Sequence, residues 1–219
     1  MAKPRSPETS NGTAARDHAS ATTEMFQIRI HGRGGQGVVS GAEILSVAAF
    51  LEGRHAQAFP SFGSERMGAP VMAFCRIDDK EVRLREPVLA PDALIIQDQT
   101  LLHQVDLFSG LPVRGYILLN SVKSLEALGL DGFARGAQRY RMCTLPATEL
   151  ALKHVGRAVP NAALLGGFAA ITGMIKLQSV LAAIREKFPS AIGEKNVAAA
   201  TEAFDIVDKA RETIDAQAD

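Results

Sequence analysis

Apolar and polar positions fall in blocks along this chain, and the period changes from block to block. Phe26 to Ile30 is a short apolar strand that runs straight into Gly32, Gly34, Gly35 and Gly37. Val38 to Leu51 then repeats at helical spacing, with Val38, Ala42, Leu45 and Ala49 on one face and Gly41, Ile44, Ala48 and Leu51 on the next. A helix apolar around most of its circumference belongs between two layers rather than on the surface. Strand-length runs follow at His55–Phe59, Val71–Ile77, Ala93–Ile96, Tyr116–Leu119 and Tyr140–Leu145. Asp78-Asp79-Lys80 predicts a tight polar turn, after which Glu81–Leu84 pairs back as a hairpin. Closing helices are predicted at Ala147–Val155, at Ala162–Ile184 with a break near Leu177, and at Lys195–Thr213. Strands alternating with helices predict an α/β fold: an open, doubly wound, Rossmann-like, mostly parallel sheet with a β-hairpin and a helical C-terminal part.

Composition narrows this picture. Hydrophobic residues make up 47% of the 219 positions and aromatics only 5%, so the core must be aliphatic and alanine-rich, which suits a parallel sheet covered by helices. The length is enough for one sizeable core. Lys plus Arg equals Asp plus Glu at 24 each, which gives no global pull towards nucleic acid or an anionic membrane. The two cysteines, Cys75 and Cys143, lie in apolar, strand-like runs and read as buried free thiols. With no C-x-x-C the chain cannot supply four thiolates to an iron–sulfur cluster. Residues 1–24 are rich in Ala, Thr and Ser and lack the apolar region of a signal peptide, so a disordered N-terminal tail is expected before a domain at 25–213 and a short tail at 214–219. The longest apolar stretch, Ala162 to Ile175, is too short to span a bilayer, which leaves a cytoplasmic location with no membrane insertion.

The chemistry concentrates at the glycines. Gly32, Gly34 and Gly37 form a G-x-G-x-x-G turn between strand and helix, which lets backbone N–H groups approach an anion closely. A nicotinamide dinucleotide site would also need a carboxylate ending the second strand. Arg54 to Phe59 has none, and Glu52 comes before that strand, which argues against NAD. Polar residues at strand ends (His31, Gln97, Asp98, Asn120, Ser121) would gather beside the turn, although Asp98 and Ser121 are equally natural helix caps. His31 reads as a packed strand-end residue rather than a base. Gln36, inside the turn, has fewer structural reasons to be there. Arg66 lies where it could clamp a phosphate or a partner carboxylate. Asn161, after Pro160, is a natural N-cap. No Ser/His/Asp set, metal-ligand spacing or Walker lysine accompanies these residues.

Three motifs in order carry a resemblance. His31-Gly32-Arg33-Gly34-Gly35-Gln36-Gly37, then Ser61-Phe62-Gly63-Ser64-Glu65-Arg66-Met67-Gly68, then Pro160-Asn161-Ala162-Ala163-Leu164-Leu165-Gly166 are similar to the gamma subunit of the 2-oxoacid:acceptor oxidoreductases, the pyruvate:ferredoxin oxidoreductase family. The likeness runs from about Phe26 to about Val207. Phe62 replaces the family's tyrosine, Ser64 a frequent proline and Met67 a common arginine. The resemblance implies a non-catalytic subunit of a complex that converts a 2-oxoacid to acyl-coenzyme A by oxidative decarboxylation. Thiamine diphosphate, Mg and [4Fe-4S] clusters would be carried by alpha, beta and ferredoxin-like delta subunits, with a flavin subunit where NAD is the acceptor. Gly34, Gly35, Gln36, Gly37, Ser64, Glu65, Arg66 and Asn161 are then the candidates for coenzyme A binding or for the subunit interface, with no catalytic residue and no metal ligand on this chain. The 2-oxoacid itself, among them pyruvate, 2-oxoglutarate and phenylglyoxylate, is not written in these residues. A stand-alone Rossmann-like nucleotide-binding or regulatory domain is the alternative.

Overall fold

The computed structural model describes residues 25–61, 67–132 and 141–215. The element order is β1 (Phe26–Arg33), α1 (Val38–Leu51), β2 (His55–Pro60), β3 (Pro70–Asp78), β4 (Ala93–Ile96), β5 (Tyr116–Asn120), β6 (Met142–Leu145), α2 (Ala147–Val155), α3 (Asn161–Thr172), α4 (Leu177–Lys187) and α5 (Ser190–Asp215). Short 3-10 turns lie at Gln99–His103 and Glu126–Leu128. The strands form one six-stranded sheet in the order β2-β3-β1-β4-β5-β6. β1, β4, β5 and β6 are parallel neighbours, while β3 is antiparallel to both β1 and β2. β3 therefore runs against the rest, and the sheet is mixed but mostly parallel. Most of the expected elements appear within a few residues of their predicted bounds.

The hairpin is the exception. Residues 81–85 form no strand. Both edges of β3 are already taken, by β1 and by β2, so a strand after Asp78 has no ladder to join. Arg76 on β3 instead donates to the Leu84 and Glu86 carbonyls at 3.1 and 2.7 Å, drawing that segment across the sheet face. The antiparallel hairpin of this fold is β2–β3.

The helices cover one face of the sheet. Ile28, Ile30, Ala73, Cys75, Ile95, Leu118 and Leu145 point from it into an aliphatic layer built with α1, α3, α4 and α5. α3 (sequence NAALLGGFAAIT) is buried on every side, as its unbroken apolar run requires. Two adjacent glycines make that position possible. A Cβ on Gly166 would stand 1.9 Å from the Ala200 carbonyl oxygen of α5, and one on Gly167 would stand 2.9 Å from Leu145 on the sheet side. The apolar run breaks at Gly173, whose φ of 62° ends α3, and the Glu52 carboxylate receives the Lys176 N–H at 2.7 Å where α4 begins. Glu52, the carboxylate nearest to the dinucleotide pattern, thus has a structural use.

The opposite face carries a smaller cluster of Ile96, Leu101, Leu107, Ile117, Leu119, Leu130 and Met142 beneath irregular chain. Arg29 is buried there and holds that chain down, donating to the carbonyls of Val88, Leu89, Leu107 and Ser109 at 3.3, 3.4, 2.9 and 2.7 Å. No helix of the described residues is long and apolar enough to cross a membrane.

Candidate ligand-binding crevice

At the carboxyl ends of β4, β5 and β6 lies a crevice of about 340 Å³, lined by Gln36, Gln97, Asp98, Asn120, Ser121 and Glu149 among others. Open parallel sheets bind ligands at this end, because the strand tips leave polar groups and helix N-termini facing a gap. Of the strand-end residues read from the sequence, four meet here. His31 does not: it is buried in the sheet with its Nε2 unpartnered. Burial, and then the charge of Arg29, lower its pKa to about 4, so it is neutral and encased.

The glycine turn is one wall of this region. Strand β1 continues to Arg33, and Gly34 pairs with residues 67–69: its N–H donates to the Ala69 carbonyl at 3.0 Å, and its carbonyl accepts from the Gly68 N–H at 3.2 Å. The first and second sequence motifs are therefore joined in space. Ser64, Glu65 and Arg66, with Phe62 and Gly63, lie outside the described residues, as do residues 1–24. Gly35 and Gly37 have φ of 93° and 74°, a left-handed backbone that other residues adopt at a cost. Gly37 is the N-cap of α1 and brings no side chain to it, so the first N–H groups of that helix lack a side-chain cap.

Polar side chains knit the turn to the strand tips. Gln36 accepts from the Arg33 N–H through Oε1 at 2.8 Å and donates from Nε2 to Asp98 at 3.1 Å. Arg33 donates from Nε to the same Asp98 oxygen at 3.0 Å and from its outer nitrogens to Gly68, Thr100 and Gln104. Burial raises the pKa of the Asp98 carboxyl, but hydrogen bonds from Thr100 and Gln36 and the Arg33 charge outweigh it and hold the group below its ordinary value. Asp98 also caps the 3-10 turn Gln99–His103, accepting the Thr100 N–H at 2.9 Å. Ser121 accepts the Lys123 N–H in a turn and caps no α-helix. Asn120 takes that task from the neighbouring strand: its Oδ1 accepts the Thr148 N–H at 3.1 Å in the first turn of α2, and its Nδ2 donates to the Gln97 carbonyl at 2.8 Å.

Asn161 is not the N-cap expected of it. Pro160 holds the cap position, and Asn161 is the first residue of α3. Its Nδ2 donates to the Gly37 carbonyl at 3.3 Å, while its Oδ1 accepts the Ala162 N–H at 2.8 Å. A Cβ on Gly37 would come within 2.5 Å of that amide nitrogen. The third motif is thus packed against the first, behind the crevice rather than in its lining. Sequence reading missed Arg33, Thr100 and Thr148. Arg33 was visible inside the glycine turn, whereas the threonines matter only through partners distant in the chain.

The crevice is rich in amides and hydroxyls, and Gln97, almost wholly buried, keeps an unpartnered Oε1. It also holds Glu149 and the Arg33-paired Asp98. Such a lining suits neutral hydrogen-bonding groups, with anionic groups directed to the uncapped start of α1. No group of three or more His, Cys, Asp or Glu that could hold a metal ion occurs among the described residues. Both cysteines are free, Cys75 buried as expected and Cys143 only half-buried; burial raises the Cys75 thiol to about 12 and the Cys143 thiol to about 11, so both are protonated.

Comparisons with known proteins agree on one family. The model of the family described as pyruvate ferredoxin/flavodoxin oxidoreductase matches residues 27–206. Pyruvate synthase subunit PorC of Methanothermobacter thermautotrophicus is 47% identical over 187 residues, covering 85% of this chain and 98% of that one. The pyruvate/ketoisovalerate oxidoreductases common subunit gamma of Thermococcus kodakarensis is 47% identical over 180 residues, covering 82% and 96%. The crystal structure of pyruvate oxidoreductase subunit PORC from Thermotoga maritima superposes with a TM-score of 0.70 at 33% identity, covering 84% of this chain and 97% of that one. At 15% identity and a TM-score of 0.59, a 2-oxoglutarate:ferredoxin oxidoreductase from Magnetococcus marinus shares the fold over 87% of this chain but only 32% of its own.

Proposed function

Because the chain belongs to the pyruvate ferredoxin/flavodoxin oxidoreductase family, we propose that it is the gamma subunit of a multi-subunit 2-oxoacid:acceptor oxidoreductase. One observation carries this reading: the chain spans 98% of a relative that is itself named a subunit, so it matches a whole separate polypeptide. The oxoacid chemistry then belongs to its partners, the alpha, beta and ferredoxin-like delta subunits, with a flavin subunit where NAD is the acceptor. Thiamine diphosphate with Mg and [4Fe-4S] clusters supply decarboxylation and electron transfer there. Two cysteines are too few for a cluster on this chain. The relative common to pyruvate and ketoisovalerate oxidoreductases supports placing substrate choice outside this subunit. The work of such an assembly lies in the cytoplasm.

The subunit's own task is to hold coenzyme A. The start of α1, capped by no side chain, meets a phosphate through the first backbone N–H groups of the helix, the Gly35 and Gly37 backbone lets the ligand approach, and Arg66 adds a guanidinium. The amides and hydroxyls of the crevice suit the amide-bearing part of the cosubstrate. Catalysis gains from positioning: the bound thiol carrier is presented in one orientation, and no proton transfer is asked of this chain.

Arg66→Ala in the assembled complex tests the site. A charge-assisted contact is worth roughly 1.5–3 kcal/mol, so the coenzyme A KM is expected to rise about ten- to a hundredfold. Oxoacid-dependent reduction of the clusters should stay near normal. Weakened subunit assembly with unchanged coenzyme A saturation would instead make the second motif an interface element. The isolated chain should reduce no viologen with any 2-oxoacid; turnover by it alone would remove the subunit reading.

A further inference from the structure

The sheet has an edge at β2, and that edge lies on the floor of a groove. Ser61 donates its N–H to the Met72 carbonyl at 2.8 Å, and the β2–β3 register places Phe59 opposite Phe74 and Gln57 opposite Arg76. In an antiparallel pair, alternate residues turn their N–H and C=O towards the partner. Gln57, Phe59 and Ser61 therefore face β3. Ala56, Ala58 and Pro60 face outward, with two N–H groups and three carbonyls unused by the sheet. Pro60 falls where a missing N–H costs the ladder nothing. Between His55 and Phe59 the edge has none of the lysines or inward charges that usually guard such strands.

The groove, of about 580 Å³, has α1 as one wall through Glu43, Ser46 and Val47, and Arg85 as the other, with Ala56–Phe59 between them. An edge strand beside a helix is a geometry that accepts an added strand. Both walls are fixed. Arg76 binds the carbonyls on either side of Arg85 and stacks over Phe59 at 5.3 Å. On the α1 wall, Glu43 is neutralised by Lys187 at 2.7 Å. Arg85 has no ion-pair partner among the described residues, which leaves the groove with one uncompensated positive charge. Gln57 Oε1 is also buried there without a hydrogen bond. Further along the same flank of α1, Phe50 is 74% exposed.

We propose that β2 receives a β-strand from another polypeptide of the assembly, an extended segment with a carboxylate on the Arg85 side and small or β-branched apolar residues on the Val47–Ala58 side. This rests on the reading of the chain as a subunit. Residues of an added strand alternate between the two faces, so one strand meets both walls. A second copy of this chain fits less well. Two β2 strands paired about a two-fold axis normal to the sheet would bring Arg85 and its counterpart onto the same face, like charge beside like charge.

The experiment is hydrogen exchange, read by mass spectrometry with fragmentation across residues 55–61, on the full chain alone and in the native complex. In the complex the Ala56 and Ala58 amides should exchange at least about tenfold more slowly than in the free chain, while the inward Gln57 and Phe59 amides change little. Ala58→Pro removes one outward N–H without touching the β3 ladder, and Arg85→Glu reverses the charge. Both should leave the free chain's melting temperature near that of the unaltered chain and lower its recovery in the complex several-fold. Equal exchange at Ala56 and Ala58 in the two states overturns the added strand while leaving the subunit reading intact. Protection that grows with the concentration of the free chain assigns the edge to a second copy and overturns it as well. If the chain assembles with no partner at all, both readings fall together.

Discussion

The two faces of the sheet are covered by different means. On one side, α1, α3, α4 and α5 bring an alanine- and leucine-rich layer whose backbone hydrogen bonds are satisfied within each helix. On the other, irregular segments on either side of β4, at Leu84–Leu89 and Leu107–Ser109, cross the sheet with carbonyls that no helix or ladder absorbs. Arg29 and Arg76, both buried, supply the missing donors. A helical cover is held by area and fit, whereas a cover of irregular chain is held by a few charged hubs, since buried backbone acceptors must find partners. Burial lowers the pKa of the Arg29 guanidinium, opposed by the charge of Asp106, and the group still serves as a cation.

The sharpest way to break the helical side is steric. Gly166→Val drives a branched side chain into the Ala200 backbone, 1.9 Å from where its first carbon must sit. Backbone cannot step aside as a side chain can, so a loss of about 5 kcal/mol or more is expected, near the whole stability of a typical domain. Gly167→Ala, which meets only side-chain tips, those of Leu145, Leu118 and Val207, should cost about 1–2 kcal/mol in the same denaturant titration. Similar losses for the two would mean that α3 and α5 do not cross closely.

The other face should break chemically. Arg29→Met keeps much of the side chain's length but strips four carbonyls of their donor, for an expected loss of about 3–5 kcal/mol. Hydrogen exchange should quicken in the segments that flank β4, at residues 84–90 and 104–110, before the α3 and α5 amides are affected. Arg29→Lys should recover little, because one ammonium cannot reach across the carbonyls that a planar guanidinium spans. Uniform loosening of both faces would mean that the two covers are not held by different means.

A smaller effect comes from pH. His31 lies in the same strand as Arg29, and its folded pKa of about 4 is below the ordinary 6.5. Between those values the unfolded chain binds a proton that the folded chain refuses, so stability rises with pH through that window and falls as acid is added. The full effect is at most about 3 kcal/mol. His31→Gln should flatten the stability profile between pH 4 and 6.5, and a profile unchanged by that substitution would show His31 already protonated or hydrated in the fold.

The elements themselves were legible from the chain. Helical spacing bounded α1 and α2, the unbroken apolar run of α3 announced its burial, and the glycine turn was visible in its own residues. These features depend on neighbours a few positions apart, where sequence and structure share one period. Tertiary structure decided the rest. That β3 enters between β1 and β2 depends on which edges are free, and this moved the expected hairpin from Glu81–Leu84 to β2–β3. Asn161 looked like a cap because it follows Pro160; only the packing of α3 against the glycine turn placed it one position into the helix, with its amide on Gly37. His31 was legible as a packed strand-end residue, but the burial of Arg29, a charged residue between Ile28 and Ile30, was not. The chain that buries Arg29 lies more than fifty positions away, and no local pattern records what will fold over a face.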